Sequence, residues 1–198
     1  QTGISRSNAY NSLASMTEKG AAYLVEEAST RKYVPVPLNE FCKNRIRKLE
    51  ESGKWLQEHM PTEKAYVEGY ITIEGAENIL NKIKNLLSQV DQRVYISCTR
   101  NYLLLLIREL DTLMEERKKV VIITDQPATF HNAKVYFGEN RGMQIGIIAD
   151  SKYVLTGEYG EGSMNTCLYS GQKNFVELYK TALANEIKLL SIREENKD

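Results

Sequence analysis

The chain has 198 residues, 42% apolar and 26% charged, with 26 Lys and Arg balancing 26 Asp and Glu. These are ordinary proportions for a globular protein and exclude collagen-like or low-complexity architecture. The length suits one large or two small domains with a sizeable core. A formal charge of zero speaks against a nucleic-acid binder unless the charge is unevenly spread.

Several further classes drop out early. The longest apolar run, Leu103 to Ile107, falls far short of the roughly 20 residues that span a bilayer, and there is no signal-peptide or lipidation pattern. Cys42, Cys98 and Cys167 are far apart, odd in number and without a Cys-x-x-Cys pair. Three reduced thiols in a cytoplasmic protein are therefore expected, with no disulfide framework, no metal site and no cofactor. His59 and His131 add no ligand cluster. The sequence opens at Gln1 in a Thr-Gly turn, so it is expected to be a piece of a longer chain.

Three segments are expected, 1–37, 38–61 and 62–198. In the first, Ser5 is a good N-cap for a helix over 6–19, with Ala9, Leu13 and Met16 at helical spacing and Gly20 as its left-handed stop. A two-stranded hairpin should follow, over 21–27 and 31–36, turning at Ala28-Ser29-Thr30. Pro35 and Pro37 place its second strand at an edge. In the second segment, Cys42, Leu49 and Leu56 recur every seven residues, flanked by Leu38, Ile46 and Met60. That spacing fits a helix packed on its own domain or a dimerising coiled coil, and Gly53 weakens it. Trp55 is either packing within this linker or a dimer anchor.

The third segment alternates strand and helix patterns, which predicts an α/β (α+β) sandwich. Strands are expected at 65–73, 93–98, 120–124, 134–137, 143–149 and 153–156. Helices are expected at 76–90, 101–117 and 175–190. Leu103 to Ile107 should be covered helix core, 115–119 a solvated helix end and 194–198 a frayed tail.

Gly3-Ile4-Ser5-Arg6-Ser7-Asn8-Ala9-Tyr10-Asn11-Ser12-Leu13, running to Glu18-Lys19-Gly20, resembles the second helix of a winged helix-turn-helix. Short polar residues at its start, Ser5, Arg6, Ser7, Asn8, Tyr10 and Asn11, are suited to the major groove. Arg can read guanine and Asn adenine. The hairpin then resembles the wing, with Arg31 and Lys32 available to phosphate or the minor groove. Residues 1–48 hold eight basic side chains against four acidic, a net +4. The other 150 hold 18 against 22, a net −4. A basic reader joined to an acidic module fits that split.

The whole layout resembles the TrmB family of prokaryotic, sugar-sensing transcription regulators. The likeness is strongest at Ile4 to Gly20, at Tyr33-Val34-Pro35-Val36 and at Met143 to Gly157. It implies a partial winged helix-turn-helix whose first helices are absent, a linker helix that dimerises, and a C-terminal effector-sensing domain with a phospholipase-D-like fold. Active phospholipase-D enzymes carry His-x-Lys with an Asp five residues after the Lys, the His as nucleophile and the Lys as phosphate stabiliser. The matching window holds Met143, Ile145 and Asp150. The third domain is therefore expected to bind rather than catalyse, with Asp150 serving a turn beside Ser151 and Lys152.

An effector site is expected at the strand ends. Candidates are Ser97, Thr99 and Arg100, then Asp125 with Gln126, then Glu158 and Tyr159. Arg100 would clamp a carboxylate or phosphate, Asp125 and Glu158 would accept sugar hydroxyl protons, and Tyr159 would stack. For any one of these residues a solvated loop position is the readier reading, and the sugar rests on the resemblance alone. The leading expectation is a dimeric, effector-responsive regulator that binds double-stranded DNA. The alternatives are a winged-helix scaffold that binds protein instead, and a phosphodiesterase.

Overall fold

Ser5 sits in extended backbone and its hydroxyl accepts from the Asn8 N–H at 3.3 Å, which starts helix α1 (Arg6–Glu18). Gly20 ends it at a φ of 76°, a left-handed conformation that glycine adopts at little cost. This is a computed structural model; it describes residues 3–27, 30–60, 69–126, 130–139, 141–162 and 164–195. The chain divides into two compact units, Gln1–Lys64 and Ala65–Asp198.

In the first unit α1 is followed by an antiparallel hairpin of β1 (Ala22–Glu27) and β2 (Thr30–Pro35) and by α2 (Leu38–His59). Positions 28 and 29 of the expected turn lie outside the described residues. Ala9, Leu13 and Thr17 are half-buried on α1, whereas Met16 is 51% exposed. Thr17, one turn after Leu13, takes the place expected of Met16 (3.6 residues per turn). On α2 no residue is buried. Leu49 is 72% exposed and Leu56 46%, with Leu38, Cys42, Ile46 and Met60 also exposed. Packing of this helix within its own unit is therefore not what the apolar spacing serves. The Trp55 ring stacks on His59, centroids 4.4 Å apart, and the His59 ring nitrogen Nδ1 lies 2.8 Å from the Trp55 carbonyl oxygen.

The second unit is built on a seven-stranded mixed sheet in the order β3-β9-β8-β7-β4-β5-β6. Its strands are β3 (Tyr70–Glu74), β4 (Arg93–Ser97), β5 (Lys119–Thr124), β6 (Ala133–Phe137), β7 (Gln144–Ala149), β8 (Tyr153–Glu158) and β9 (Thr166–Ser170). Strands β4, β5 and β6 run parallel; every other pairing is antiparallel. Helices α3 (Ala76–Ser88), α4 (Arg100–Leu104) and α5 (Ile107–Glu115) share a core with one sheet face through Ile79, Ile83, Leu103, Leu110, Ile96 and Ile147. Helix α6 (Lys173–Glu195) covers the other face, meeting Val121, Ile123 and Val154 with Val176, Leu183 and Leu190. The fold is thus the expected mixed α+β architecture.

Four local expectations change. The strand expected over 65–73 is β3, beginning at Tyr70; 65–68 lie outside the described residues. The single helix expected over 101–117 is two, because the chain turns at Leu105 and Leu106 with i→i−3 hydrogen bonds to Tyr102 and Leu103. Five consecutive apolar residues cannot share one helical face, so Leu103 and Leu106 go into the core while Leu104, Leu105 and Ile107 stay exposed. Strand β9 was not expected at all. The last helix is ordered to Glu195, where a loose tail was expected from 194; 196–198 lie outside the described residues.

Candidate functional site

On α1 the expected DNA-reading side chains, Ser5, Arg6, Ser7, Asn8, Tyr10 and Asn11, are all exposed. They do not share one face. Arg6 and Tyr10 stand one turn apart, with the guanidinium 5.8 Å from the ring centroid. At about 100° per residue Arg6 falls in line with the half-buried stripe of Ala9, Leu13 and Thr17, at its N-terminal end, and Tyr10 lies at its margin, while Ser7, Asn8 and Asn11 occupy the opposite side. On the hairpin, Arg31 lies opposite Glu26 and donates from Nε to its carboxylate at 3.0 Å. Both side chains are well exposed, so the pair is weak and a phosphate can compete for the guanidinium. Lys32 is exposed beside it. Tyr23 donates its hydroxyl to Glu40 Oε1 at 2.6 Å, tying the hairpin to the start of α2. That hydrogen bond raises the Tyr23 pKa, helped by slight desolvation and the Glu40 charge.

In the second unit, antiparallel pairing brings the ends of β4, β5 and β8 and the start of β7 to one edge of the sheet. All six expected effector residues lie at that edge, but they do different things. Asp125 Oδ1 accepts the Arg100 backbone N–H at 2.9 Å, so this carboxylate caps α4 and leaves the Arg100 side chain exposed. Thr99 is half-buried at the cap position of α4. Glu158 is exposed at the end of β8. Ser97 is no loop residue: it is buried in β4, and its hydroxyl accepts from Arg141 Nη1. Tyr159 is core, packed edge-on against Tyr102 with centroids 4.9 Å apart, so it offers no open ring face. Burial, then the neighbouring Tyr102, raises its phenol pKa.

Arg100 lines a cavity of 460 Å³ whose walls include Leu103, Ile107, Asp111, Phe130 and His131. None of the other five expected residues lines it.

The sequence reading missed a polar cluster on the α6 side. Arg141, with only 9% of its side chain exposed, bridges Ser97 Oγ and the Glu186 carboxylate on α6. Its Nε has no protein partner among the described residues. Beside it, Thr156 Oγ1 donates to the Tyr179 hydroxyl at 3.1 Å. Nothing in the linear spacing of 97, 141 and 186 signals this cluster; it exists only once the sheet order is known. Cys98 is buried behind Ser97, and burial, reinforced by Asp125 and opposed by Arg141, pushes its thiol up to about 12. It is therefore a protonated, unreactive thiol near neutral pH.

Asp150 and Ser151 form the tight turn between β7 and β8, both at positive φ. The Asp150 carboxylate also accepts the backbone N–H groups of Asp91, Gln92 and Arg93 at 2.8, 2.8 and 2.9 Å. Desolvation raises its pKa, but those three hydrogen bonds and Lys152 outweigh it and leave the group below its ordinary value. In the same window Ile145 is buried and Met143 exposed. Among the described residues no group of three or more His, Cys, Asp or Glu side chains is placed to hold a metal ion, and no helix is long and apolar enough to cross a membrane.

No family model matches the chain. Over 140 residues it is 29% identical to the uncharacterized protein YrhO of Bacillus subtilis strain 168, covering 69% of this chain and 50% of that protein. The chain thus spans about half the length of the curated relative it matches. Among solved structures it is similar to TrmBL2, described as an archaeal chromatin protein with a novel mode of DNA binding. That alignment covers 93% of this chain and 82% of the other, at 16% identity and a TM-score of 0.53. A phospholipase D family member, Nuc from Salmonella typhimurium, aligns over 59% of this chain and 92% of its own, at 10% identity and a TM-score of 0.47. At these identities the TrmBL2 likeness shows the fold. The expectation that the chain is not an enzyme is corrected, since similar structures include this phospholipase D family member. That expectation rested on Met143 and Ile145 standing where His and Lys are needed, and the loss of one motif speaks to one mechanism only.

Proposed function

We propose that the chain is part of a DNA-binding transcription regulator of the TrmB type, working as a homodimer in the cytoplasm and answering to a small-molecule effector. The observation that carries this is α1 with its hairpin: a capped helix whose first two turns are exposed at every position but Ala9, followed by an exposed basic strand. The fold is shared over 93% of the chain with TrmBL2, whose description includes DNA binding. The charge split supports the same reading, because phosphate contacts require local rather than overall positive charge. On α1, Ser7, Asn8 and Asn11 form the base-reading side, and Arg6 with Tyr10 reaches bases or backbone from the N-terminal end of the helix.

The unburied seam of α2 supports a second copy of the chain as its partner. Exposed Leu49 and Leu56, seven residues apart, are what a two-helix coiled coil covers. Dimerisation would place two copies of α1 in successive major grooves. For the effector, the 460 Å³ cavity beside Arg100 supports a small polar metabolite with one anionic group, the guanidinium on that group, Asp111 and Glu115 accepting from its hydroxyls, and Leu103, Ile107 and Phe130 under its apolar part. Asp125 places Arg100 by accepting its backbone N–H, whereas Ser97 and Tyr159 hold the scaffold. Titrating fluorescent duplex DNA with the chain, with and without organic acids and sugar phosphates, tests this function: salt-dependent binding that such an acid alters supports it, and no binding at low salt refutes it.

A further inference from the structure

A second concavity, 1240 Å³ in volume, opens at the opposite end of the sheet from Arg100, around the end of β9 and the start of α6. Three strands contribute to its floor. Ile71 of β3 pairs in register with Tyr169 of β9, and Tyr153 begins β8 alongside. The Tyr153 and Tyr169 rings lie within 15° of parallel, centroids 5.7 Å apart. Lys82 of α3 holds its ammonium 3.9 Å from the Tyr169 ring centroid, a close cation–π contact.

Gly171 makes this arrangement possible. A Cβ there would come within 2.9 Å of the Tyr153 ring, so the missing side chain lets the ring lie against the backbone. Tyr153 nevertheless stays 43% exposed. Lys152 and Lys173 complete the lining, and Lys173 opens a helix of 23 residues whose N-terminal end carries partial positive charge. One acidic side chain, Glu177, also lines the cavity, and it accepts from Lys180 at 2.9 Å.

An aromatic platform flanked by three ammonium groups suits a ligand with a planar ring and an anionic tail. We infer that this cavity binds a nucleoside phosphate, the base on Tyr153 and the phosphates between Lys152, Lys173 and the first turn of α6. The site goes beyond the effector reading, since Arg100 and its cavity are at the other end of the sheet. Base–aromatic stacking is tolerant of base identity, so the phosphates and one flat ring are what the site selects.

Isothermal titration calorimetry of the full chain with ATP, adenosine and inorganic triphosphate tests this, with no DNA present. ATP should bind, and adenosine and triphosphate should each bind at least about tenfold more weakly, the loss of one stacking or phosphate contribution. Tyr153→Ala should reduce ATP to the affinity of triphosphate. Lys152→Ala with Lys173→Ala should reduce it to that of adenosine. All these side chains are at the surface, so the variants should fold, which circular dichroism verifies. Absence of ATP binding, triphosphate binding as tightly as ATP, or ATP binding unchanged in the cavity variants would each overturn the inference.

Discussion

The hydroxyl of Tyr179 stands where a side chain at position 146 would begin: a Cβ on Gly146 would lie 1.8 Å from it. The missing methyl in β7 therefore admits a ring from α6, and the ring's hydroxyl meets Thr156 of β8. Burial raises the Tyr179 phenol pKa; Thr156 lowers it, Glu186 raises it, Arg141 lowers it and Cys167 raises it, and the net shift is upward. Gly146→Ala should cost about 2 kcal/mol through overpacking. Tyr179→Phe should cost about 1 kcal/mol through the missing hydrogen bond. The double variant should be more stable than the two losses summed, because removing the hydroxyl removes the worst clash. Urea midpoints of the four proteins measure this; strict additivity would show that the Tyr179 hydroxyl is not what the new methyl meets.

Arg141 and Glu186 predict an asymmetry. Arg141 is nearly buried whereas Glu186 keeps 37% of its side chain exposed. Removing the carboxylate strands a buried cation; removing the cation leaves a carboxylate that can turn to water. Glu186→Ala should therefore destabilise by about 2 kcal/mol, more than the volume-conserving Arg141→Met. Chemical denaturation ranks the two, and the reverse order would contradict the pairing.

Asp150 sets an acid dependence. Its folded pKa lies below the unfolded value, so its contribution is complete above an unfolded pKa of about 3.9 and is lost as pH falls through the folded value. Asp150→Asn tolerates the positive φ but is a weaker acceptor, and should cost about 1–2 kcal/mol at neutral pH. That deficit should shrink on acidification below the unfolded pKa. Calorimetric melting of both proteins across that range checks it; a deficit independent of pH would mean that the charge does not matter.

The α2 seam predicts an oligomeric effect without a folding effect. Leu49 and Leu56 are exposed within the chain, so Leu49→Lys with Leu56→Lys should leave its far-UV circular dichroism unchanged. Sedimentation velocity should show a dimer for the parent and a monomer for the variant. A parent that is monomeric at high concentration would remove α2 as the dimer helix.

Much of the fold was legible because its signals are local. Ser5 and Gly20 bound α1 where cap chemistry places them, and Val120 to Thr124 is the buried strand that its β-branched run implies. Strand β9 was missed because Thr166 to Ser170 is short, with only three apolar residues between its polar ends. Its clearest cues are Gly171 after it and the Cys167, Leu168, Tyr169 run within it. The α4–α5 break was hidden because a leucine run has no periodicity to read. At the candidate site, strand-end positions could be inferred from alternation, whereas burial could not. Tyr159 looks like a loop residue in sequence and Ser97 like the polar end of a strand, and only the sheet order turns one into core and the other into the partner of Arg141.

DNA binding by α1 and the hairpin is tested most directly by fluorescence anisotropy of random and operator-selected duplexes across a salt series. The chain should bind with an affinity that falls linearly on a logarithmic salt axis. Arg31→Ala with Lys32→Ala should weaken binding to every duplex and flatten that slope by about 1 for each phosphate no longer neutralised. Asn8→Ala and Arg6→Ala should cost about 1–3 kcal/mol on the selected duplex and narrow its preference over random DNA. Binding that is absent at low salt, or indifferent to all four substitutions, would contradict the assignment of this surface to DNA.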